Sequence, residues 1–139
     1  MSAEFVRILR DGRTGFPALI EAIEAHFEDN GVPPGPAAQV LIALDEVISN
    51  ALDHGGETRA PIVEVAIDIH AGTISVAISD DGKAFDPLAA PPPDTSLSVE
   101  DRAIGGLGIH LVRELMDDVS YSRETGRNRL RFSKTFPLA

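Results

Sequence analysis

Residues 41 to 55 read LIALDEVISNALDHG, and the spacing within them decides what the rest of the chain can build. At about 100° per residue on a helix, Glu46, Asn50 and Asp53 fall within a narrow arc, with His54 at its edge. Leu41, Leu44, Ile48 and Ala51 lie on the opposite side. One face therefore packs on something apolar, while the other holds a column of carboxylate, amide, carboxylate and imidazole. A solvated helix in an acidic protein would carry Lys or Arg among those acids as i,i+4 partners. No Lys or Arg occurs between Arg13 and Arg59. The column is either a solvated face or a site, and the flanking sequence has to decide between them.

Upstream, Glu4 to Arg10 reads as a short strand through Phe5, Val6 and Ile8, ended by Asp11-Gly12. Phe16 to Asn30 carries Phe16, Leu19, Ile20, Ile23 and Phe27 at helical spacing, with Pro17 in the first turn and Gly31 after the end. His26 reads as a surface or helix-end residue. Pro36 can open the central helix, and Gly55-Gly56 closes it. Downstream, Ile62 to His70 alternates through Val63, Val65, Ile67 and Ile69, and Thr73 to Ser79 alternates through Ile74, Val76 and Ile78. Ala71-Gly72 joins them as a hairpin.

After Asp80 the pattern breaks. Residues 87 to 103 contain PPPDTSLSVEDR, which excludes a continuous helix or a central strand. A loop of this length in a small domain usually carries function or lacks order. Helical spacing returns through Leu107, Leu111, Leu115 and Met116, preceded by Gly105, Gly106 and Gly108. Val119 to Arg123 and Leu130 to Phe136 alternate as strands, joined by Glu124-Thr-Gly-Arg-Asn. Hairpins mean antiparallel pairing. The expected fold is α+β: a two-layer α/β sandwich whose mixed, mostly antiparallel sheet is covered by helices on one face.

The chain has 139 residues, and we read residues 1–139 as a single domain large enough for a substantial core. With no Cys, neither a disulfide scaffold nor a thiolate metal site is available. No signal-peptide core and no apolar run approaching a membrane span is present, so the expected location is cytoplasmic and away from membranes. A net charge of −10 argues against a nucleic-acid surface, which needs a basic face. It suits partners with basic patches.

Three stretches each have a use in holding a nucleotide. Asp80, at a strand end, can accept a hydrogen bond from an exocyclic amine such as that of adenine. Gly82 lets the backbone pass close to a flat base. Gly105, Gly106 and Gly108 can expose successive amides at a helix start, a phosphate site by geometry and dipole. Asn50 offers a neutral oxygen to Mg²⁺, which takes few protein ligands beside phosphate oxygens. Glu46, one turn earlier, can accept a proton from an attacking hydroxyl or water. Taken singly, Asp80-Asp81-Gly82 is an ordinary turn and the glycine cluster an ordinary bend. The cluster is neither a P-loop nor a dinucleotide fingerprint, because the required spacing and the surrounding βαβ unit are absent.

In this order and spacing the three stretches resemble the GHKL ATPase superfamily, which includes histidine-kinase catalytic domains, gyrase, a heat-shock chaperone family and the MutL mismatch-repair proteins. LDEVISNALDHG matches the asparagine box, ISDDGKAFDP the first glycine box and IGGLGIHLVRELMDDVSY the second. The resemblance runs from Phe5 to Phe136. Within the superfamily the chain is similar to the short anti-sigma-factor serine kinases and their stand-alone ATP-binding relatives.

That resemblance implies a histidine-kinase-type ATPase fold with an ATP lid at residues 87–104. It implies Glu46 as catalytic base, Asn50 as the Mg²⁺ ligand and Asp80 as the adenine-binding aspartate. Asp53 and Lys83 would border ribose or phosphates, and Arg102 would be a lid cation reaching the terminal phosphate. Gly82, Phe85, Gly105, Gly106, Leu107, Gly108 and Ile109 complete the implied ATP site. Ala84 stands where relatives often have a second glycine, which puts the hinge of the lid in question. No helical-hairpin context surrounds His26, His54 or His110, which argues against self-phosphorylation on histidine. The implied activity is that of an ATP-dependent serine/threonine-protein kinase. It would phosphorylate an anti-sigma-factor antagonist of the STAS type and, in its other state, hold a sigma factor. The alternative is an ATP-responsive binding module with little or no phosphotransfer. The resemblance also allows a homodimer.

Overall fold

The structure, a computed structural model, describes residues 3–54, 60–89 and 106–138. The expected order of elements is present: β1 (Ala3–Leu9), α1 (Phe16–Asp29), α2 (Pro34–His54), β2 (Val63–His70), β3 (Thr73–Asp80), α3 (Gly106–Leu115), β4 (Asp118–Glu124) and β5 (Arg127–Thr135). The strands form one sheet in the order β1-β2-β3-β5-β4. Every described ladder is antiparallel.

Alternation along the strands sets the two faces. β2 turns Val63, Val65, Ile67 and Ile69 inward, β3 turns Ile74, Val76 and Ile78 inward, and β5 adds Leu130 and Phe132. Ile23 and Phe27 of α1, Val40, Leu44 and Ile48 of α2, and Ile109 and Val112 of α3 belong to the same core. Each such side chain, fully buried, stabilises the fold by roughly 1.5–3 kcal/mol. The other face of the sheet, with Ala66, Ser75, Ala77 and Arg131, lines a broad shallow concavity outside that core.

Both hairpins close through paired left-handed residues, Ala71 (φ 49) with Gly72 (φ 78) and Thr125 (φ 50) with Gly126 (φ 76). Two consecutive positive-φ residues suit the right-handed twist of the strands they join. Gly72 is also sterically required, since a Cβ there would sit 2.9 Å from the Phe136 carbonyl oxygen. Behind α3, the Asp117 carboxylate accepts hydrogen bonds from the Thr135 N–H (2.6 Å) and hydroxyl (2.9 Å). Those bonds, the backbone one foremost, hold the Asp117 carboxyl below its ordinary pKa and tie the end of α3 to β5.

α2 starts at Pro34, earlier than the Pro36 expected from sequence. Both prolines lie in the first turn, where the missing N–H has no intrahelical partner to lose. β5 also starts earlier than expected, at Arg127 instead of Leu130. Of the expected lid, Pro87–Ala89 form a short 3₁₀ turn. Residues 90–105, including Arg102 and Gly105, lie outside the described residues. No helix among the described residues is long and apolar enough to cross a membrane.

Candidate functional site

The C-terminal half of α2 passes over the end of β3, and residues 81–89 leave β3 beside it. Between them is a pocket lined by Asn50, Asp80, Phe85, Tyr121 and Asn128, with Ile78 and Leu130 as apolar wall. Every expected site residue in that lining comes from the asparagine stretch or the first glycine stretch. Tyr121 and Asn128 were not anticipated.

Asp80 and Asn128 are cross-strand partners in the β3–β5 ladder. Both point inward and both are buried, the only polar or charged side chains among the described residues in that class. Asn128 Nδ2 donates to Asp80 Oδ1 (3.0 Å) and to the Lys83 carbonyl (2.7 Å). Its Oδ1 accepts from the Phe85 N–H (3.2 Å) and from the Tyr121 hydroxyl (2.5 Å). The Gly82 N–H donates to the same Asp80 Oδ1 (2.9 Å). A buried carboxylate needs such donors to offset its lost hydration. The loop after β3 is held from further sides as well: Arg123 donates to the Gly82 carbonyl (2.9 Å), and Asp81 accepts from the Ile62 N–H (2.7 Å). Arg113 of α3 donates to the Leu88 carbonyl (2.6 Å).

The polar column of α2 is present as expected. Glu46 and Asn50 are half-buried and joined by a side-chain hydrogen bond. Burial pushes the Glu46 carboxyl above its ordinary pKa; Asn50 opposes this, and Asp45 and Asp53 add to it. The Glu46 carboxylate lies against the backbone of α3 at Gly108, where any Cβ would collide with it. The second glycine stretch is thus packed against the column. Asp53, further along, pairs with Arg13 (2.5 Å), both side chains being more than half exposed. The cation absent from α2 comes from 40 residues upstream. A pair that exposed contributes about 0–1 kcal/mol.

The other expected site residues are distributed as follows. Gly82 is buried in the loop, Lys83 is exposed beside it, and Ala84 is exposed as well. Gly106 and Leu107 open α3, and Ile109 is buried in the core rather than in the pocket lining. Among the described residues no cluster of three or more His, Cys, Asp or Glu is placed to hold a metal ion. At the α2 edge of the pocket a cation would meet one neutral amide, Asn50, which lines the pocket, with the Glu46 carboxylate hydrogen-bonded to it one turn away. That donor set fits Mg²⁺ held mainly by the phosphate oxygens of a nucleotide, and does not fit an all-protein cage.

Asn128 was missed because residues 124–128 read as a turn, so its inward position on a strand was lost. The signal available was period two: Asn128, Leu130 and Phe132 continue one face.

Residues 14–134 match the family model for the histidine kinase-like ATPase domain. A serine/threonine-protein kinase, BtrW of Bordetella bronchiseptica, is 31% identical over 92 residues, 66% of this chain and 65% of that protein. The chain thus spans just under two thirds of that relative. The serine-protein kinase RsbW of Staphylococcus epidermidis is 28% identical over 131 residues, 90% of this chain and 76% of that one. In three dimensions the chain resembles the crystal structure of the RsbU and RsbW domains of Rv1364c from Mycobacterium tuberculosis, with a TM-score of 0.66 at 13% identity, over 96% of this chain and 32% of that one. This last likeness concerns the fold.

Proposed function

The chain belongs to the histidine kinase-like ATPase domain family, and from that membership we propose that it is an ATP-dependent protein serine kinase acting in partner switching. Its acceptor would be a serine of a STAS-type anti-sigma-factor antagonist, and in its other state it would hold a sigma factor. The names of the two kinases it resembles support this reading. One observation carries it: a carboxylate with raised pKa, Glu46, sits one helical turn from Asn50 and against α3. A pure nucleotide sensor has no use for a desolvated base there.

In the proposed reaction Asp80 receives the adenine amino group and fixes the base. The serine hydroxyl oxygen attacks the γ-phosphorus, the bond from that phosphorus to the bridging oxygen of ADP breaks, and the hydroxyl proton passes to Glu46. Asn50 would hold Mg²⁺, which when bound neutralises charge on the phosphates. A raised pKa suits Glu46, because a general base works best with a pKa near the operating pH. We place the protein in the cytoplasm, where a sigma factor works.

The test is transfer of labelled phosphate from Mg-ATP to candidate antagonists. Wild type should label a serine. Glu46→Gln should bind ATP almost as well but transfer about 10²–10⁴-fold more slowly. A wild type that binds ATP and labels no antagonist would make the chain an ATP-responsive binding module. Transfer by Glu46→Gln at the wild-type rate would remove Glu46 from the chemistry.

A further inference from the structure

The buried amide of Asn128 has a job that the proposed phosphotransfer does not use. We infer that Asn128 is a positioning residue for base selection: it locks Asp80 so that a single carboxylate oxygen, Oδ2, is offered to the nucleobase as an acceptor. The inference rests on the reading of this pocket as an ATP site.

Three observations support it. First, the hydrogen-bonding capacity of Asn128 is fully used, with both amide hydrogens donated and its oxygen accepting twice. Second, its orientation is fixed by chemistry. Reversing the amide would set its oxygen against Asp80 Oδ1 and the Lys83 carbonyl, and its NH₂ against the Phe85 N–H. Third, among the described residues the bonds Asp80 accepts both land on Oδ1, from Asn128 and from Gly82. The carboxylate plane is therefore pinned through one oxygen, and the other is left for a ligand in the pocket that Asp80 and Asn128 both line.

An acceptor held in this way selects a purine bearing an amine at the position it faces. It rejects one bearing a carbonyl oxygen there, because two acceptors would meet in a buried site. Without Asn128, Asp80 would keep only the Gly82 N–H and could rotate to place either oxygen, or a water, against the base. The Tyr121 hydroxyl belongs to the same device one step back, since it orients the Asn128 oxygen.

The experiment is calorimetric binding of ATP and of ITP, which carries a 6-oxo group in place of the 6-amine, to wild type, Asn128→Leu and Tyr121→Phe. Leu preserves the volume and removes all four hydrogen bonds. Wild type should prefer ATP by tenfold or more, on the order of the cost of one unpaired buried polar group. Asn128→Leu should reduce that preference to within about threefold, and Tyr121→Phe should give an intermediate loss. A merely structural role would weaken both triphosphates equally and leave their ratio unchanged. A wild-type ratio in folded Asn128→Leu overturns the inference. Should that variant fail to fold, an unchanged ratio in Tyr121→Phe, which loses one hydroxyl, overturns it instead. A wild type that binds neither triphosphate overturns the ATP-site reading itself, and this inference with it.

Discussion

Glu46 is held between two requirements. Its carboxyl is partly desolvated against α3, which raises its pKa, while Asn50 hydrogen-bonds its ionised form. A carboxyl whose folded pKa exceeds its unfolded value contributes stability that is full below the unfolded pKa and lost as pH rises through the folded one. Ionised Glu46 is thus a small burden on the fold at neutral pH. Glu46→Gln, permanently neutral, should therefore melt above wild type near pH 7. The gap should close as pH falls below about 4, where the unfolded carboxyl is protonated too. Thermal melts between pH 3 and pH 8 read this directly, and a gap that does not vary with pH would contradict it. Glu46, Asn50 and Asp80 were legible from sequence because helical period and a strand end place them without tertiary information. Asn128 was not: its burial arises from the β3–β5 register, which sets it opposite a residue 48 positions away.

The helix–helix contact at Gly108 packs α3 against Glu46, the proposed base. A Cβ at this position meets the Glu46 carboxylate, the far end of a flexible side chain, and not a backbone. Gly108→Ala should therefore fold, with stability changed by less than about 1 kcal/mol because Ala is the better helix former. It should nevertheless displace the base and lower phosphotransfer as steeply as Glu46→Gln does. Circular dichroism melts paired with turnover check both halves, and a variant with full turnover would show that the contact is dispensable. At this scale sequence reading served well for α1, α2 and the hairpin turns, where apolar spacing and Ala71-Gly72 mark the elements. It served poorly at the start of β5. There Arg127 and Arg129 face outward around Asn128, and a polar run conceals an alternation that pairing with β4 makes real.

For the molecule as a whole, a ligand that binds only the folded state raises its stability by RT ln(1 + [L]/Kd). At a hundred times Kd this is about 2.7 kcal/mol, or roughly ten degrees in melting temperature for a domain of this size. ATP should give a shift of that order and GTP a much smaller one. Equal shifts would remove Asp80 from base recognition. The two-layer architecture was readable from alternating helices and hairpins, but the strand order was not. Nothing local says that β5, not β4, pairs with β3, yet this choice brings Asn128 to Asp80. The bond from Arg113 to the Leu88 carbonyl bears on how force travels through this molecule. It ties the turn at Pro87–Ala89, which follows the loop around Asp80, to the second half of α3. α3 also carries Gly108, against which Glu46 lies. A pull on this one helix therefore reaches the polar column of α2 and the pocket loop together.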